Sequence, residues 1–444
     1  MPSCPSELPP ARRCADDRGS ACARTCARSA APHAAMARIA MLESARSAAR
    51  GGGMRDRKTW FSIHRWLGIG LGLWFALVGV TGSVLVFEDP IDAWLNPGLL
   101  TTADRGPWLA PDAIAARATD GYALGKVERI RMPLAQGEVY RLFIRTSPNR
   151  RVGSERIEAF FNPVTGALLG TRGAETLGLS APYVLKTVYE FHRNVLLGNA
   201  GSNIVGIAGF LLLANAIAGF VVAWPRKREG LRRLVWINWR GNATRIFFDL
   251  HRSAGAIFFV LLVLATVTGS TLVYLNYVRD LVNVFSKVAS FPTIPWVPGA
   301  RDEPKPFGEI VAAVRSAYPD RAITEIHGPP GRASGYLFYL KRAGDEHRLG
   351  DTIAWVHPVT AQILVERSDR TRSAGETLMH WLFPLHSGTA FGTAGMVAMS
   401  ATGAMPILLV LTGLWVWLRK RRGERIGRER RAARAAVAVS AAGE

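Results

Sequence analysis

The sequence predicts an α-helical membrane protein: a four-helix transmembrane bundle built from a duplicated helix–domain–helix unit, with two small α+β domains outside the membrane. Three observations indicate this class. Four apolar blocks contain no Asp, Glu, Lys or Arg, the excess of positive charge is confined to three segments, and motifs of the first half recur in the second. These observations concern hydropathy, charge and repetition, and all three lead to the same architecture.

The first element, residues 1–57, is an arm that we expect to be disordered or non-native. It is rich in Ala, Arg and Ser and has neither an apolar periodicity nor an uninterrupted apolar stretch, so it does not resemble a signal peptide. We expect the natural start at Met54. All four cysteines of the chain lie in this arm: Cys4, Cys14, Cys22 and Cys26. We therefore expect neither disulfides nor iron–sulfur clusters in the remainder.

Four transmembrane helices are predicted from the charge-free blocks. Each block contains about 20 consecutive residues that can cross a hydrocarbon layer of about 30 Å as a helix. Membrane helices tolerate the glycines and prolines that these blocks contain. The predicted spans are residues 66–87, 203–224, 254–276 and 396–418, within helical segments at 58–90, 186–225, 251–279 and 379–419.

Charge predicts the orientation of these spans. The two long connections, residues 88–203 and 276–395, each carry 13 Lys and Arg against 12 Asp and Glu, so the rest of the chain holds +19 of the formal charge of +21. That excess precedes the first span and fills a basic loop at 226–250 and a basic tail at 420–444. The positive-inside rule places these segments and both termini in the cytoplasm. Because topology and anionic lipid explain the basic balance, no nucleic-acid partner is predicted.

The two halves of the chain repeat each other at offsets of 187 to 195 residues. "FNPVTGALLG" at 161–170 matches "VHPVTAQILV" at 356–365, and "EFHRNVLLGNAG" at 190–201 matches "PLHSGTAFGTAG" at 384–395. Each half contains two predicted spans, so both halves have the same orientation and the repeat is parallel.

The outer domains, residues 91–185 and 280–378, have similar patterns. In each, a helical pattern precedes runs with strand-like alternation, such as "VYRLFIRTS" in the first and "GYLFYLKRA" in the second. We predict one helix and three or four antiparallel strands per domain. Because about 70 residues is small for an independent core, the domains are expected to pack on each other or on the membrane helices.

Four of the nine histidines occupy corresponding positions in the repeat, each at or just outside the start of a predicted span. His64 and His251 are expected at the cytoplasmic face, and His192 and His386 at the outer face. A haem held by two axial imidazoles needs one such pair, and polar residues near hydrocarbon favour a functional role. The alternative is that all four are amphipathic interfacial residues, copied by the duplication.

Neighbouring residues bear on this hypothesis. His380, six residues before His386, is an alternative outer ligand or a proton-bearing neighbour. A zinc site would need three or four ligands at one place, whereas each face offers two. Glycines in the spans allow close approach by a helix or a flat macrocycle. Three of the four histidines precede an arginine that could pair with a haem propionate: Arg65, Arg193 and Arg252.

With these residues, the chain resembles the PepSY-associated transmembrane family over roughly residues 57–422. The motifs that carry the resemblance include "HRWLGIGLGLWFALVGVTGSVLVFEDPIDAWLNP", "FHRNVLLGNAGSNIVGIAGFLLLANAIAGFVVAWP", "DLHRSAGAIFFVLLVLATVTGS" and "FPLHSGTAFGTAGM". The family comprises multi-pass proteins of the bacterial inner membrane with PepSY-like periplasmic domains, which are often iron-regulated. Some members are dihaem ferric-siderophore reductases. The resemblance implies haem ligation by His64, His192, His251 and His386.

The function expected from the residues and the resemblance is electron transfer through two b-type haems, from the cytoplasmic side to a periplasmic ferric siderophore or other ferric chelate. The chain has no nucleotide fingerprint or flavin domain, so the donor is expected to be a flavin, a quinol or a separate reductase. One alternative is a non-catalytic PepSY protein that binds peptides or regulates a protease. Another is a component of a siderophore transporter, which the absence of charges inside the spans disfavours.

Overall fold

The structure is a computed structural model that describes residues 57–146, 155–225, 230–288, 304–328, 335–345 and 347–441. The chain divides into two units, Met1–Ser62 and Ile63–Glu444. Of the first unit, only residues 57–62 are described, and they belong to a helix. The predicted arm at 1–57 and its cysteines otherwise lie outside the described residues. The second unit contains every contact discussed below.

Apolar helices dominate the described part of the chain. Three of them are long and apolar enough to cross a membrane: Arg57–Leu85 (α1), Gly198–Ala223 (α6) and the stretch Thr389–Ala436, most of which belongs to the helix Gly392–Ala441 (α13). A fourth candidate consists of Ala243–Ile257 (α8) and Phe259–Val273 (α9), which are bent by 58° relative to each other. The helical membrane part of the sequence prediction is thereby confirmed.

The bend differs from the continuous third span that the sequence predicts. Phe258 separates the two helices, with φ −88° and ψ 1°. A ψ near zero turns the chain out of the α-helical path while the hydrogen bond from its N–H to the Ala254 carbonyl (3.0 Å) is kept. The predicted span 254–276 is free of charges on both sides of Phe258, so its hydropathy pattern gives no signal of a change in helix direction.

Small residues bring helices of the two halves together. Ser83 of α1 donates to the Ser400 carbonyl of α13 (2.7 Å), and Ser400 donates in return to the Ser83 carbonyl (3.1 Å). At the equivalent place, Ser270 of α9 donates to the Gly206 carbonyl of α6 (3.3 Å). The first helix of each half therefore contacts the second helix of the other half. Such contacts need glycine and serine, whose small side chains let two backbones approach.

Shorter elements connect the apolar helices. In chain order, those of the first half are α2 (Glu88–Leu95), α3 (Pro97–Leu100), α4 (Pro111–Ala116, continued by a π-turn at Arg117–Gly121), β1 (Lys126–Arg131), β2 (Tyr140–Arg145), β3 (Arg156–Phe161), β4 (Leu168–Gly173) and α5 (Val184–Asn194). The following elements are α7 (Leu231–Val235), α10 (Leu275–Phe285), α11 (Phe307–Ala317), β5 (Ala322–His327), β6 (Tyr336–Lys341), β7 (Thr352–Val356), β8 (Ile363–Arg367) and α12 (Ala374–Ser387).

The eight strands form one antiparallel sheet in the order β4-β3-β2-β1-β5-β6-β7-β8. Each half contributes four strands, and β1 pairs with β5 where the halves meet. We call this junction the seam. There Ile130 lies opposite Ile326, flanked by the pairs Arg129–His327 and Arg131–Glu325. The two domains therefore share a single sheet.

The two faces of the sheet differ in chemistry. One face is covered by α4 and α11, and the buried side chains Ile114, Ile310 and Val314 form a continuous apolar core with residues of both halves. The other face, which we call the polar face, carries charges. Near the seam, Glu325 bonds with Arg131 (3.0 Å) and with His327 (2.7 Å).

An ion-pair network fixes the polar face to the end of α1. Arg172 of β4 bonds with both Asp92 of α2 (2.8 Å) and Glu158 of β3 (2.8 Å), and Arg141 of β2 also bonds with Glu158 (2.6 Å). Burial would raise the pKa of the Glu158 carboxyl, but the charges of Arg141 and Arg172 outweigh that effect and lower it. Since α2 follows α1 directly, the network holds the sheet at one end of the helices, here called the sheet end; the opposite end is the far end.

Candidate functional site

The four repeated histidines form two pairs between the helices. His64 of α1 faces His251 of α8 at the far end, with ring centres 5.8 Å apart. His192 of α5 faces His386 of α12 at the sheet end, with ring centres 6.3 Å apart. Each pair takes one histidine from each half of the chain. We refer to them as the far pair and the sheet-end pair.

The Nδ1 atom of each imidazole is hydrogen-bonded to a backbone carbonyl of a neighbouring apolar helix. Because a carbonyl oxygen can only accept, the Nδ1 atom of each ring donates, and in the neutral imidazole this leaves Nε2 unprotonated. Such a hydrogen bond is the usual means of orienting a metal-ligating histidine. The acceptors are the carbonyls of Asn215 for His64 (3.0 Å), Val78 for His192 (2.9 Å), Leu409 for His251 (2.9 Å) and Ala265 for His386 (3.1 Å).

A glycine makes room for each ring. A Cβ atom on Gly82 would lie 2.8 Å from the Cε1 atom of His192, and one on Gly219 would lie 2.7 Å from that of His64. In the second half, a Cβ on Gly269 would lie 2.9 Å from Cε1 of His386, and one on Gly413 would lie 3.0 Å from Cε1 of His251. At these distances a Cβ atom would force the ring to move, so a glycine at each position lets the ring lie against the helix backbone.

Threonine hydroxyls contact three of the four rings. The Oγ1 atom of Thr81 lies 3.3 Å from Nδ1 of His192, that of Thr268 lies 3.1 Å from His386, and that of Thr412 lies 3.1 Å from His251. Each threonine directly precedes the glycine at its ring. At His64, the residue that directly precedes the contacting glycine is Ala218, which is fully buried and has no hydroxyl.

The geometry of both pairs fits a metal ion with two axial imidazoles. Metal–nitrogen bonds of about 2 Å, with about 1 Å from each nitrogen to its ring centre, place the two ring centres about 6 Å apart. The observed separations of 5.8 and 6.3 Å match this value. Two protein ligands leave the remaining positions of an iron to a macrocycle, so the donor set suits haem better than a zinc site, which needs three or four protein ligands.

His380 takes part in a different cluster. Its Nε2 atom bonds with the Asp351 carboxylate (2.8 Å), and its ring lies 5.4 Å from that of His347. The residue that faces His192 is His386. Asp351 lies between β6 and β7, so this cluster connects α12 to the sheet.

The three arginines that follow histidines have protein partners. Arg252 forms an ion pair with Asp249 (3.0 Å) and donates to the Trp236 carbonyl (2.6 Å). Arg193 is more exposed and lies 3.8 Å from Glu190. Arg65 lies over the ring of the adjacent tryptophan at 5.0 Å. The predicted role in binding propionates stays a prediction for all three.

Several residues at the pairs were not singled out by sequence reasoning. The sequence indicates close approach by a helix or a flat macrocycle for the glycines of the spans, and it gives the threonines no role. The signal was nonetheless present, because Gly82 recurs as Gly269 and Gly219 as Gly413, at the same offsets as the histidines. Asp249, fully buried two residues before His251, has a serine at the corresponding place of the first half, so the repeat does not reveal it.

The apolar helices, the shared sheet and the interhelical histidine pairs define a membrane protein in which each pair joins equivalent histidines of the two halves. The chain belongs to the family described as the PepSY-associated TM region, whose model matches residues 61–420. Comparison with curated proteins gives no match.

Proposed function

We propose that this protein is a membrane electron-transfer protein that binds two b-type haems and reduces a ferric chelate. The observation that carries the proposal is the pair of facing imidazoles at each end of the helices, with Nδ1 anchored and Nε2 left as the ligating atom. In this proposal His64 and His251 hold the iron of one haem, and His192 and His386 hold that of the other. The four apolar segments then form a transmembrane four-helix bundle around both.

When bound, haem supplies a one-electron carrier that cycles between ferric and ferrous iron. The residues of the chain orient the ligands and shape the site around them. The carbonyl acceptors fix the orientation of the rings and raise the basicity of the ligating nitrogens. The four glycines let the neighbouring helix backbone approach each ring and exclude other atoms there.

The orientation that we propose places the sheet in the periplasm and both termini in the cytoplasm of a bacterial inner membrane. The far pair lies at the end of the helices from which the basic tail continues, since α13 extends through Arg419, Arg421 and Arg425. Positive segments of this kind are retained on the cytoplasmic side. Electrons would then enter at the far pair from a flavin, a quinol or a separate reductase, and leave at the sheet-end pair.

The polar face of the PepSY-like sheet, near the seam, is the proposed binding surface for the ferric chelate. Because the two domains share one sheet, the substrate would lie on the seam. Arg129 is partly exposed there, at 32% of its side chain, and its guanidinium lies 3.5 Å from the ring centre of Phe143. Cationic and aromatic groups suit anionic chelates with planar oxygen-rich ligands. Reduction to ferrous iron weakens oxygen coordination and releases the metal.

The proposal is tested by haem content and by the reduced-minus-oxidised spectrum of the full chain, purified in detergent from haem-replete cells. We expect about two b-type haems per chain in the parent protein. His386→Ala should lose the sheet-end haem and keep the other, whereas the matched variant His380→Ala should keep both. Loss of a haem in His380→Ala would contradict the ligand assignment. A parent protein without haem would overturn the proposal and favour the peptide-binding alternative.

A further inference from the structure

The two histidine pairs differ in how many hydroxyl groups contact them. At the sheet end, both rings have a threonine hydroxyl beside Nδ1, from Thr81 and Thr268. At the far end, only His251 has one, from Thr412, because Ala218 occupies the corresponding position at His64. The sheet-end pair is therefore contacted by two hydroxyl groups and the far pair by one.

The direction of these hydrogen bonds follows from the local geometry. Each threonine lies within bonding distance of a carbonyl three or four residues earlier in its own helix; for Thr268 the shortest such distance, to Leu264, is 2.6 Å. Since a hydroxyl has a single proton, which goes to its own helix, its oxygen is left to accept from the imidazole N–H. The Nδ1–H of His386 then has two acceptors, the Ala265 carbonyl and Thr268, whereas that of His64 has one.

The helical hydrogen bond of the threonines does not by itself explain their contact with histidine. Thr271 and Thr402 make the same bond to their own helices, with Val267 (2.7 Å) and Ala398 (2.7 Å), and neither is hydrogen-bonded to a histidine. The three threonines at the rings have the common feature of directly preceding a ring-contacting glycine. Their position, one residue from the closest approach of backbone and imidazole, brings the hydroxyl to Nδ1.

We propose that Thr81, Thr268 and Thr412 are positioning residues that lower the reduction potential of the iron at their own pair, and that Ala218 leaves the far pair with the weaker of the two hydroxyl sets. An additional acceptor at Nδ1–H makes the opposite nitrogen a stronger donor, which favours ferric over ferrous iron. The inference rests on the proposed haem ligation. It assigns the difference between the two sites to hydroxyl groups that neither ligate iron nor contact substrate.

The test is a potentiometric titration of the full chain, followed optically, in which two haems give two Nernst steps. His386→Ala identifies the step of the sheet-end pair by its loss. Thr268→Val, which removes the hydroxyl at nearly constant volume, should shift the sheet-end step toward reduction by about fivefold in the equilibrium constant, the typical contribution of one hydrogen bond. Thr412→Val should shift only the far step, in the same direction.

Matched variants separate this effect from a change in packing. Thr271→Val removes a hydroxyl from the same helix without touching a ring and should shift neither step. Ala218→Thr should move the far step in the opposite direction, and Ala218→Val controls for its added volume. Because Ala218 is fully buried, that pair of variants can fail to fold, and the threonine-to-valine variants then decide the matter alone.

The outcomes distinguish the inference from the function on which it rests. If haem occupancy is complete and Thr268→Val and Thr412→Val leave both steps unchanged, the hydroxyls do not set the potentials and the inference is overturned. Equal shifts of both steps in a single variant would overturn it too, because the effect would not be local. Absence of haem from the parent would instead refute the proposed function.

Discussion

Single glycines determine whether each imidazole can occupy its place. Gly82 contacts the ring of His192, and a methyl group at this position would lie 2.8 Å from Cε1 of that ring, with the Nδ1 atom at 3.3 Å. The ring would have to move, because a contact this short is not sustained between carbon atoms. Displacement by even a few tenths of an ångström would lengthen the hydrogen bond to the Val78 carbonyl, now 2.9 Å.

We therefore expect Gly82→Ala to lose most of one haem while the other is kept. The measurement is haem per chain and the optical spectrum of the purified variant. Gly70→Ala is the matched control, since it lies in the same helix and a Cβ there has no neighbour within 4 Å. Equal haem content in the two variants would contradict the role given to Gly82.

At this scale, sequence reasoning identified the histidines and missed what holds them. The four histidines stand out because each begins a charge-free block and each has a counterpart in the repeat. The carbonyl acceptors leave no trace in the side-chain pattern, since any residue supplies a carbonyl. The sequence also leaves open which of His380 and His386 is the outer ligand, because both lie on one helix, six residues apart. The structure distinguishes them, since His380 bonds with Asp351.

Among the elements, the seam between β1 and β5 depends on a buried carboxylate. Burial would raise the pKa of Glu325, but the hydrogen bond from His327 and the charges of Arg131 and Arg129 outweigh burial and lower its pKa to about 2. The ordinary value is 4.5. A carboxyl with a depressed pKa contributes stability above its ordinary value and loses that contribution as the pH falls through the depressed value.

The sheet should therefore lose stability between pH 4.5 and about pH 2, and Glu325 should account for on the order of 2–3 kcal/mol of the loss. Thermal unfolding of the detergent-solubilised chain, followed by circular dichroism across this range, measures the effect. Glu325→Gln should be less stable at neutral pH and show a flatter pH dependence. Glu175→Gln, at a carboxylate 71% exposed in the first half of the chain, should behave like the parent. A Glu325→Gln curve parallel to that of the parent would refute the assignment.

The secondary-structure elements show which parts of the fold can be predicted from residue periodicity. Strands alternate between core and polar face, so β2 and β6 could be predicted from alternation within short runs. The pairing of β1 with β5 could not, because it joins residues almost two hundred positions apart, and strand patterns do not specify which edge meets which. The bend at Phe258 could not be predicted either, since it lies inside the charge-free span 254–276 and no glycine or proline stands at the break.

On the scale of the whole molecule, the two pairs lie at opposite ends of the apolar helices. His64 belongs to the far pair, and Gly82 contacts the sheet-end pair. The two residues are 18 positions apart on α1. At a rise of about 1.5 Å per residue, this corresponds to about 27 Å along the helix, close to the thickness of a hydrocarbon layer. This separation suits the proposed transfer of electrons from one side of a membrane to the other. The orientation of the chain would then set the direction of that transfer.

The proposed orientation has a simple test. A green fluorescent protein fused after Glu444 should fluoresce, and an alkaline phosphatase fused there should be inactive, because the C-terminus is expected in the cytoplasm. A phosphatase inserted after Gly344, in the turn between β6 and β7, should be active, since the sheet is expected on the other side. The reverse pattern would invert the topology and with it the direction of electron flow.

The register of the seam shows what the fused chain can do that two separate copies of one half could not. Ile130 and Ile326 are each the fifth residue of the first strand of their half and lie opposite each other, so the contact is isologous, as in a twofold-symmetric homodimer. In a homodimer of the first half, Arg131 would face a second Arg129, and like charges would meet. In the fused chain, the place equivalent to Arg129 is Glu325, which bonds with Arg131 at 3.0 Å. Because the two halves are parts of one chain, they carry different residues at equivalent places of the seam, and the chain is in effect a heterodimer whose halves are not interchangeable.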